Sequence, residues 1–217
     1  MAHSEIGPKR RSLCRAAVIA AVLITCTSCN PRTEGDPTLS APAIAKPPQA
    51  YAQEAYPVRI VDRSKFAPRL RPATVAAPPG YAAGTIVVVT QQKLLYLIRG
   101  NGTADRYGIA VGTSGYSWKG EAVVGRKAVW PAWYPTDDMK RNVEGLPSRI
   151  APGVDNPLGA RALYLFQHGR DTLYRIHGTS EPWTIGTEAS SGCIRMVNED
   201  IIDLFDKAPT GATVVVI

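Results

Sequence analysis

Cysteine is nearly missing from this 217-residue chain once its first 29 positions are set aside. Cys14, Cys26 and Cys29 all fall in that opening stretch, so Cys193 has no second thiol with which to form a disulfide in the remainder. Histidine is scarce as well. Of His3, His168 and His177, the last two and Cys193 lack a compact ligand spacing and a fourth ligand, so neither a zinc site nor a cofactor is expected. Beyond the opening stretch no Lys/Arg run is interleaved with aromatics, which argues against nucleic acid as a partner. There is no internal repeat. The apolar run from Ala16 through Thr25 is too short to span a bilayer comfortably.

What stands at the start instead is a leader. Lys9, Arg10, Arg11 and Arg15 precede the short apolar run, so residues 1–28 read as a signal peptide and are excluded from the fold. Cys26-Thr27-Ser28-Cys29 resembles a lipoprotein cleavage site, with Cys29 lipidated and attached to an inner or outer membrane, although Cys26 stands where such signals have Leu. Arg10-Arg11-Ser12-Leu13 also reads as a twin-arginine signal, and a plain secretory leader is the third reading. Each version exports the protein to the bacterial cell envelope, with the periplasm as its expected location. The leader carries +3 of the formal net charge of +7, leaving a mildly basic remainder suited to an anionic wall polymer. Residues 29–79 read as a tether. The stretch 30–79 holds ten of the eighteen prolines and little hydrophobic periodicity, and fifty flexible residues span roughly 40 Å. Within it Val58, Ile60, Val61 and Phe66 form a possible apolar lead-in to the folded part.

Residues 80–217 have the length of one ordinary domain. Ile86–Val89 and Leu94–Ile98 are rich in β-formers, and Gly100-Asn101-Gly102 then marks a tight turn. Further strands are expected at Arg106–Val111, Val123–Trp130, Leu163–Gln167, Leu173–His177 and Thr213–Ile217, with His168 in a hairpin turn. One helix is expected to start with Asn198 as its N-cap and to stop before Pro209. The fold class is therefore mainly β with a short C-terminal helix. The aperiodic, aromatic and proline-rich stretch from Pro131 to Gly159 is either a groove wall built around Trp133 or a cover in which Trp130 and Trp133 close one end of the sheet.

Cys193 lies in the Gly- and Ser-rich turn Glu188-Ala189-Ser190-Ser191-Gly192-Cys193-Ile194-Arg195-Met196, and is either a small buried hydrophobe, the usual role of a thiol between Gly and Ile, or a nucleophile. A thiol needs a neighbouring imidazole to take its proton near neutral pH, and His177, sixteen residues earlier in Ile176-His177-Gly178-Thr179, is the natural partner. Gly192 lets the backbone approach a reacting carbonyl, and the N–H groups of Gly192 and Cys193 are candidates for an oxyanion hole. Ser190 and Ser191 shape the turn. Arg195 is placed either to bind a substrate carboxylate or to tie the loop to Asp200.

His177-Gly178-Thr179, Gly186 and Ser190-Ser191-Gly192-Cys193-Ile194-Arg195-Met196, with Asn198 and Asp200, resemble the signature of the L,D-transpeptidases with a YkuD-type catalytic domain. The resemblance extends through Gly84-Thr85-Ile86-Val87-Val88 and Pro157-Leu158-Gly159-Ala160-Arg161-Ala162-Leu163-Tyr164-Leu165, and so covers residues 84–217. It implies a β-sandwich or barrel-like fold and thiol acyl transfer on peptidoglycan stem peptides. Cys193 is then the nucleophile, His177 the general acid and base, and the Gly178 carbonyl the group that orients His177. Ser190, Ser191, Arg195 and Trp133 are the expected substrate-binding residues. The acceptor is left open: a stem amine gives a 3→3 crosslink, water gives an L,D-carboxypeptidase, and a protein lysine gives an anchoring enzyme. A non-enzymatic wall-binding lipoprotein is the reading of another class. Where many members have Thr-Pro-x-Gly, this chain has Glu121-Ala122-Val123-Val124-Gly125.

Overall fold

A computed structural model describes residues 46–112, 119–190 and 192–217. The leader, Cys29 and Ser191 fall outside the described residues. The described strands are β1 (Ala73–Ala76), β2 (Ile86–Val89), β3 (Leu94–Ile98), β4 (Thr103–Gly112), β5 (Gly120–Val129), β6 (Arg161–Gln167), β7 (Arg170–His177), β8 (Glu188–Ser190), β9 (Ile194–Met196) and β10 (Thr213–Val216). The described helices are α1 (Asp137–Asn142) and α2 (Asn198–Lys207). The class is mainly β, as the alternating and β-branched runs predict.

Along the sheet the order is β1-β4-β3-β2-β10-β5-β6-β7-β9. β4 is long enough to pair with four strands, β1, β3, β8 and β9. Its first half pairs with β1, while Ile109 and Ala110 pair with Met196 and Arg195 of β9. The circuit from β4 through β3, β2, β10, β5, β6 and β7 to β9 therefore closes, so each strand of the circuit has a partner on both sides. Inward-facing residues from every strand of the circuit, among them Val88, Leu97, Ile109, Val124, Leu165 and Ile176, make one core with Ile201 and Leu204 of α2. Each such fully buried aliphatic side chain contributes about 1.5–3 kcal/mol. The hairpin between β6 and β7 turns on His168 (φ 51°) and Gly169 (φ 76°), two consecutive residues with positive φ, as a tight two-residue turn requires.

One buried polar network inside this shell is paired throughout. The buried Tyr107 hydroxyl donates to Asp203 at 2.6 Å, Lys207 bridges Asp203 and Asp105, and Arg99 closes on Asp105 at 2.7 Å. Burial works against the Asp105 charge, but the hydrogen bonds from Lys207 and Arg99 outweigh it and hold the carboxyl below its ordinary range.

The tether expectation is corrected from Pro48 onward. Residues 48–70 carry three 3-10 turns (Pro48–Tyr51, Arg63–Lys65 and Pro68–Leu70), and β1 follows as part of the sheet. Glu54 accepts hydrogen bonds from the Arg161 guanidinium and from Trp130 Nε1, and Arg63 grips Asp200 through two hydrogen bonds of 2.8 and 3.0 Å. Tyr51 and Val58 pack with Trp130 and Ile202, and Val61 and Phe66 with Ile185 and Val197. Prolines that suggest a loose linker instead fix short turns, and the segment's sparse apolar and charged residues find partners across the domain.

The helix forms where expected, with one correction. Its N-cap is Val197, whose apolar side chain makes no cap, while Asn198 is the first helical residue and its amide is engaged elsewhere. Glu199 and Asp200 still occupy the first turn, where negative charge suits the helix dipole. The stretch 131–159 divides between both of its readings. Trp130 is buried and meets Tyr56 edge to face at 5.1 Å, while Trp133 exchanges two backbone hydrogen bonds with Ile150 and lines a groove.

Candidate active site

Strand alternation decides which side chains meet. Leu163, Ile176 and Ile194 point into the core, so their chain neighbours on β6, β7 and β9 point outward. β7 and β9 run parallel, with Ile176 beside Ile194 and His177 beside Arg195. One residue earlier, Cys193 stands beside Arg175. His177 and Cys193 thus become diagonal neighbours on one face, although sixteen residues separate them in the chain. Ala162 and Tyr164 of β6 extend this face beside His177 and Arg175, and Ala128 and Arg126 of β5 extend it further.

His177 is 4% exposed, and its Nδ1 lies 2.6 Å from the Gly178 carbonyl. A carbonyl only accepts, so Nδ1 carries the proton and Nε2 offers the lone pair. Burial pushes the imidazole pKa down to about 4; the Gly178 hydrogen bond opposes this, and the charges of Arg195 and Arg175 add to it. The ring is therefore neutral at pH 7. Cys193 is half-buried, and its thiol donates weakly to the Leu173 carbonyl at 4.0 Å. Burial pushes the thiol pKa up, against opposing effects from Arg175 and Arg195. Near pH 7 the thiol and the imidazole are therefore both neutral.

Leu173 reaches this position through an irregularity. The β6–β7 register shifts between Tyr164 and Phe166, and Leu173 takes φ 64°, costly for a branched residue. Asp171 Oδ1 accepts from Leu173 N, and Thr172 Oγ1 from Tyr174 N, which holds the bulge in place.

Asn198 is a part of the site that the sequence reading assigned to a different job. Its Oδ1 accepts from Ala160 N at 3.0 Å and Thr179 N at 3.2 Å, and its Nδ2 donates to Thr179 O at 3.1 Å. It pins the Gly178–Thr179 turn, and with it the carbonyl that orients His177. The packing is tight enough that a Cβ on Gly178 would lie 2.1 Å from Asn198 Oδ1, and one on Gly159 2.2 Å from the same atom. Its place in the motif with His177 and Cys193 was the available signal, but a helix start explains an Asn there equally well.

Cys193 opens onto a groove of about 550 Å³ whose lining includes Arg126, Trp133, Tyr134, Leu158, Tyr164 and Leu173. Gly192 has φ 130°, a conformation that favours glycine, and brings bare backbone beside the thiol. Arg195 does not tie the loop to Asp200. It pairs with Glu181 at 2.9 Å, because Asp200 is already held by Arg63. Ser190 ends β8, with its backbone paired to Gly112. The departure at Glu121–Val124 lies on the part of β5 that pairs with β10, and the groove wall begins only at Arg126. Gly125 sits at the intervening register shift, where a Cβ would lie 2.3 Å from the Phe166 ring. Among the described residues, no three His, Cys, Asp or Glu side chains gather where they would hold a metal ion.

Residues 83–217 match the family model described as the L,D-transpeptidase catalytic domain, YkuD. The chain is 36% identical over 152 residues to the probable L,D-transpeptidase ErfK/SrfK of Escherichia coli, covering 67% of this chain and 47% of that protein. It is 34% identical over 133 residues to the putative L,D-transpeptidase YqjB of Bacillus subtilis, covering 60% of this chain and 69% of that one. A solved structure from Brucella melitensis, described as a probable carnitine operon oxidoreductase, is 44% identical with a TM-score of 0.48, over 68% of this chain and 94% of that one. The chain spans about half the length of the Escherichia coli relative. On the family match over residues 83–217, this chain belongs to the L,D-transpeptidases with a YkuD-type catalytic domain.

Proposed function

We propose that the chain is an exported peptidoglycan L,D-transpeptidase that works through a cysteine thioester. One observation carries the reading: His177, locked by the Gly178 carbonyl with Nε2 as acceptor, shares a face with Cys193 at the mouth of the groove. A tetrapeptide stem lies in the groove with the carbonyl between an L-centre and a D-centre at Sγ. Nε2 takes the thiol proton as sulfur attacks, and the backbone N–H groups of Gly192 and Cys193 steady the developing oxyanion. The C–N bond then breaks, the imidazolium returns its proton to the leaving amine, and the terminal D-residue departs. The amine of a diaminopimelate on a second stem attacks the thioester, His177 takes its proton, and the thiol is restored with a 3→3 crosslink formed. A neutral resting pair suits this sequence, since an unpaired thiolate would be exposed to oxidants in the envelope.

Residues 1–28 are the export leader in this reading, with attachment through Cys29 as one of its forms. The test is incubation of the exported form with purified disaccharide tetrapeptide, followed by mass spectrometry of the products. A crosslinked dimer and free D-amino acid support the transpeptidase. Tripeptide alone means that water is the acceptor, and unchanged substrate refutes acyl transfer from this stem.

A further inference from the structure

The outward row next to Cys193 carries a feature that the acyl-transfer steps do not use. Arg126 on β5, Tyr164 on β6 and Arg175 on β7 are register partners, and Cys193 completes the row. The Arg126 guanidinium carbon lies 3.4 Å from the Tyr164 ring centroid, and that of Arg175 4.3 Å from the same ring. The two arginines differ in charge balance. Arg175 is held by both carboxylate oxygens of Asp171, at 2.6 and 2.9 Å. Arg126 is exposed and, among the described residues, has no carboxylate partner. No Asp or Glu lines the groove among the described residues. The groove therefore presents one uncompensated guanidinium, already ordered by stacking, to whatever occupies it.

We infer that Arg126, stacked on Tyr164, binds the free side-chain carboxylate of the diaminopimelate residue in the acyl-donor stem. This rests on the transpeptidase reading and adds to it the chemical feature by which the donor is selected. The reach fits. Three interstrand spacings separate the Arg126 and Cys193 backbones by about 14 Å, and folding onto Tyr164 brings the guanidinium about one strand nearer, to about 10 Å. In an extended diaminopimelate the far carboxylate lies about 7 Å from the scissile carbonyl, and a charge-assisted hydrogen bond of about 2.8 Å closes the remaining gap. The carboxylate of the departing D-residue sits only a few ångströms from the scissile bond, too close to Cys193 for Arg126 to be its partner.

The test is calorimetric binding of tetrapeptide stems to Cys193→Ala and to Cys193→Ala/Arg126→Gln, both first checked for native thermal unfolding. Three stems are compared: free diaminopimelate carboxylate, the same carboxylate amidated, and a free-acid diaminopimelate stem whose glutamate carboxylate is amidated. Arg126→Gln weakens the first and third by about 10- to 100-fold and the second by less than twofold. Arg126→Lys keeps the charge but loses the planar fork, and recovers only part of the loss. Equal losses on all three stems, no loss on any, a loss abolished by glutamate amidation instead, or no binding of the free-acid stem to Cys193→Ala each overturn the assignment. Turnover by the wild type on the same stems is read separately. Binding with the expected pattern but without acyl transfer leaves the subsite standing and removes the transpeptidase reading.

Discussion

Replacing Asn198 by Ala tests whether the turn behind His177 is held as the geometry says. The substitution strands two buried N–H donors, those of Ala160 and Thr179, and the Thr179 carbonyl. A net hydrogen bond is worth about 1 kcal/mol, and a buried group left without a partner costs about 1–3 kcal/mol. With partial relaxation around Gly159 and Gly178 the loss is about 3–5 kcal/mol, a large share of the 5–15 kcal/mol typical of a domain. Asn198 does not line the groove, so substrate binding is largely spared, while the Gly178 carbonyl and the His177 ring lose their fixed orientation. The expected kinetic signature is a fall in kcat of at least about tenfold with little change in KM. Asn198→Asp keeps the acceptor oxygen, loses the donor and falls between the two in stability. Urea unfolding and a tetrapeptide turnover assay on the same preparations read both effects. A stability loss below about 1 kcal/mol together with wild-type kcat refutes the positioning role.

Other expectations follow from the same site. Cys193→Ala removes acyl transfer but shifts stability by no more than about 1 kcal/mol, because the thiol is only half-buried; crosslinking by the purified variant at wild-type rates contradicts the nucleophile assignment. In the free enzyme the raised thiol pKa makes iodoacetamide alkylation of Cys193 at pH 7 slower than that of an ordinary cysteine, with a rate that still climbs above pH 8.5. A rate plateau already reached below pH 7 instead reveals a preformed thiolate–imidazolium pair. His177 titrates at about 4 in the folded state and at about 6.5 when unfolded, so it contributes stability above pH 6.5 that is lost as pH falls toward 4. Between pH 7 and pH 4.5 the wild type should lose about 2–3 kcal/mol more than His177→Gln, and parallel pH curves for the two proteins show that the imidazole is not buried neutral.

The parts of the fold that were legible in sequence are those whose signal is local. Ile86–Val89 and Leu94–Ile98 announce themselves as runs of β-formers, and His168-Gly169 as a turn. β9 has three residues and β8 three more; both exist through β4 and β7, so no window around them carries a strand signal. β1 was hidden inside a Pro- and Ala-rich stretch because it needs only one neighbour, β4, to form. Cys193 and His177 stood out from residue type and motif, and the parallel register of β7 and β9 places them on one face. Arg195 finds Glu181 and Arg63 takes Asp200, choices set by the path of the segment before β1 and unavailable to any local reading. The stack of Arg126 on Tyr164 is a cross-strand contact over 38 positions, visible only once β5 and β6 are in register.

The central claim is a thioester on Cys193, formed from a wall stem and resolved through His177. Its most direct test is rapid-quench intact-mass spectrometry of the wild type during turnover of a disaccharide tetrapeptide. The account predicts a transient adduct with the mass of the stem lacking its terminal D-residue, released by hydroxylamine and mapped by digestion to Cys193. Release of that D-residue without any adduct, or an adduct mapped to another residue, contradicts it.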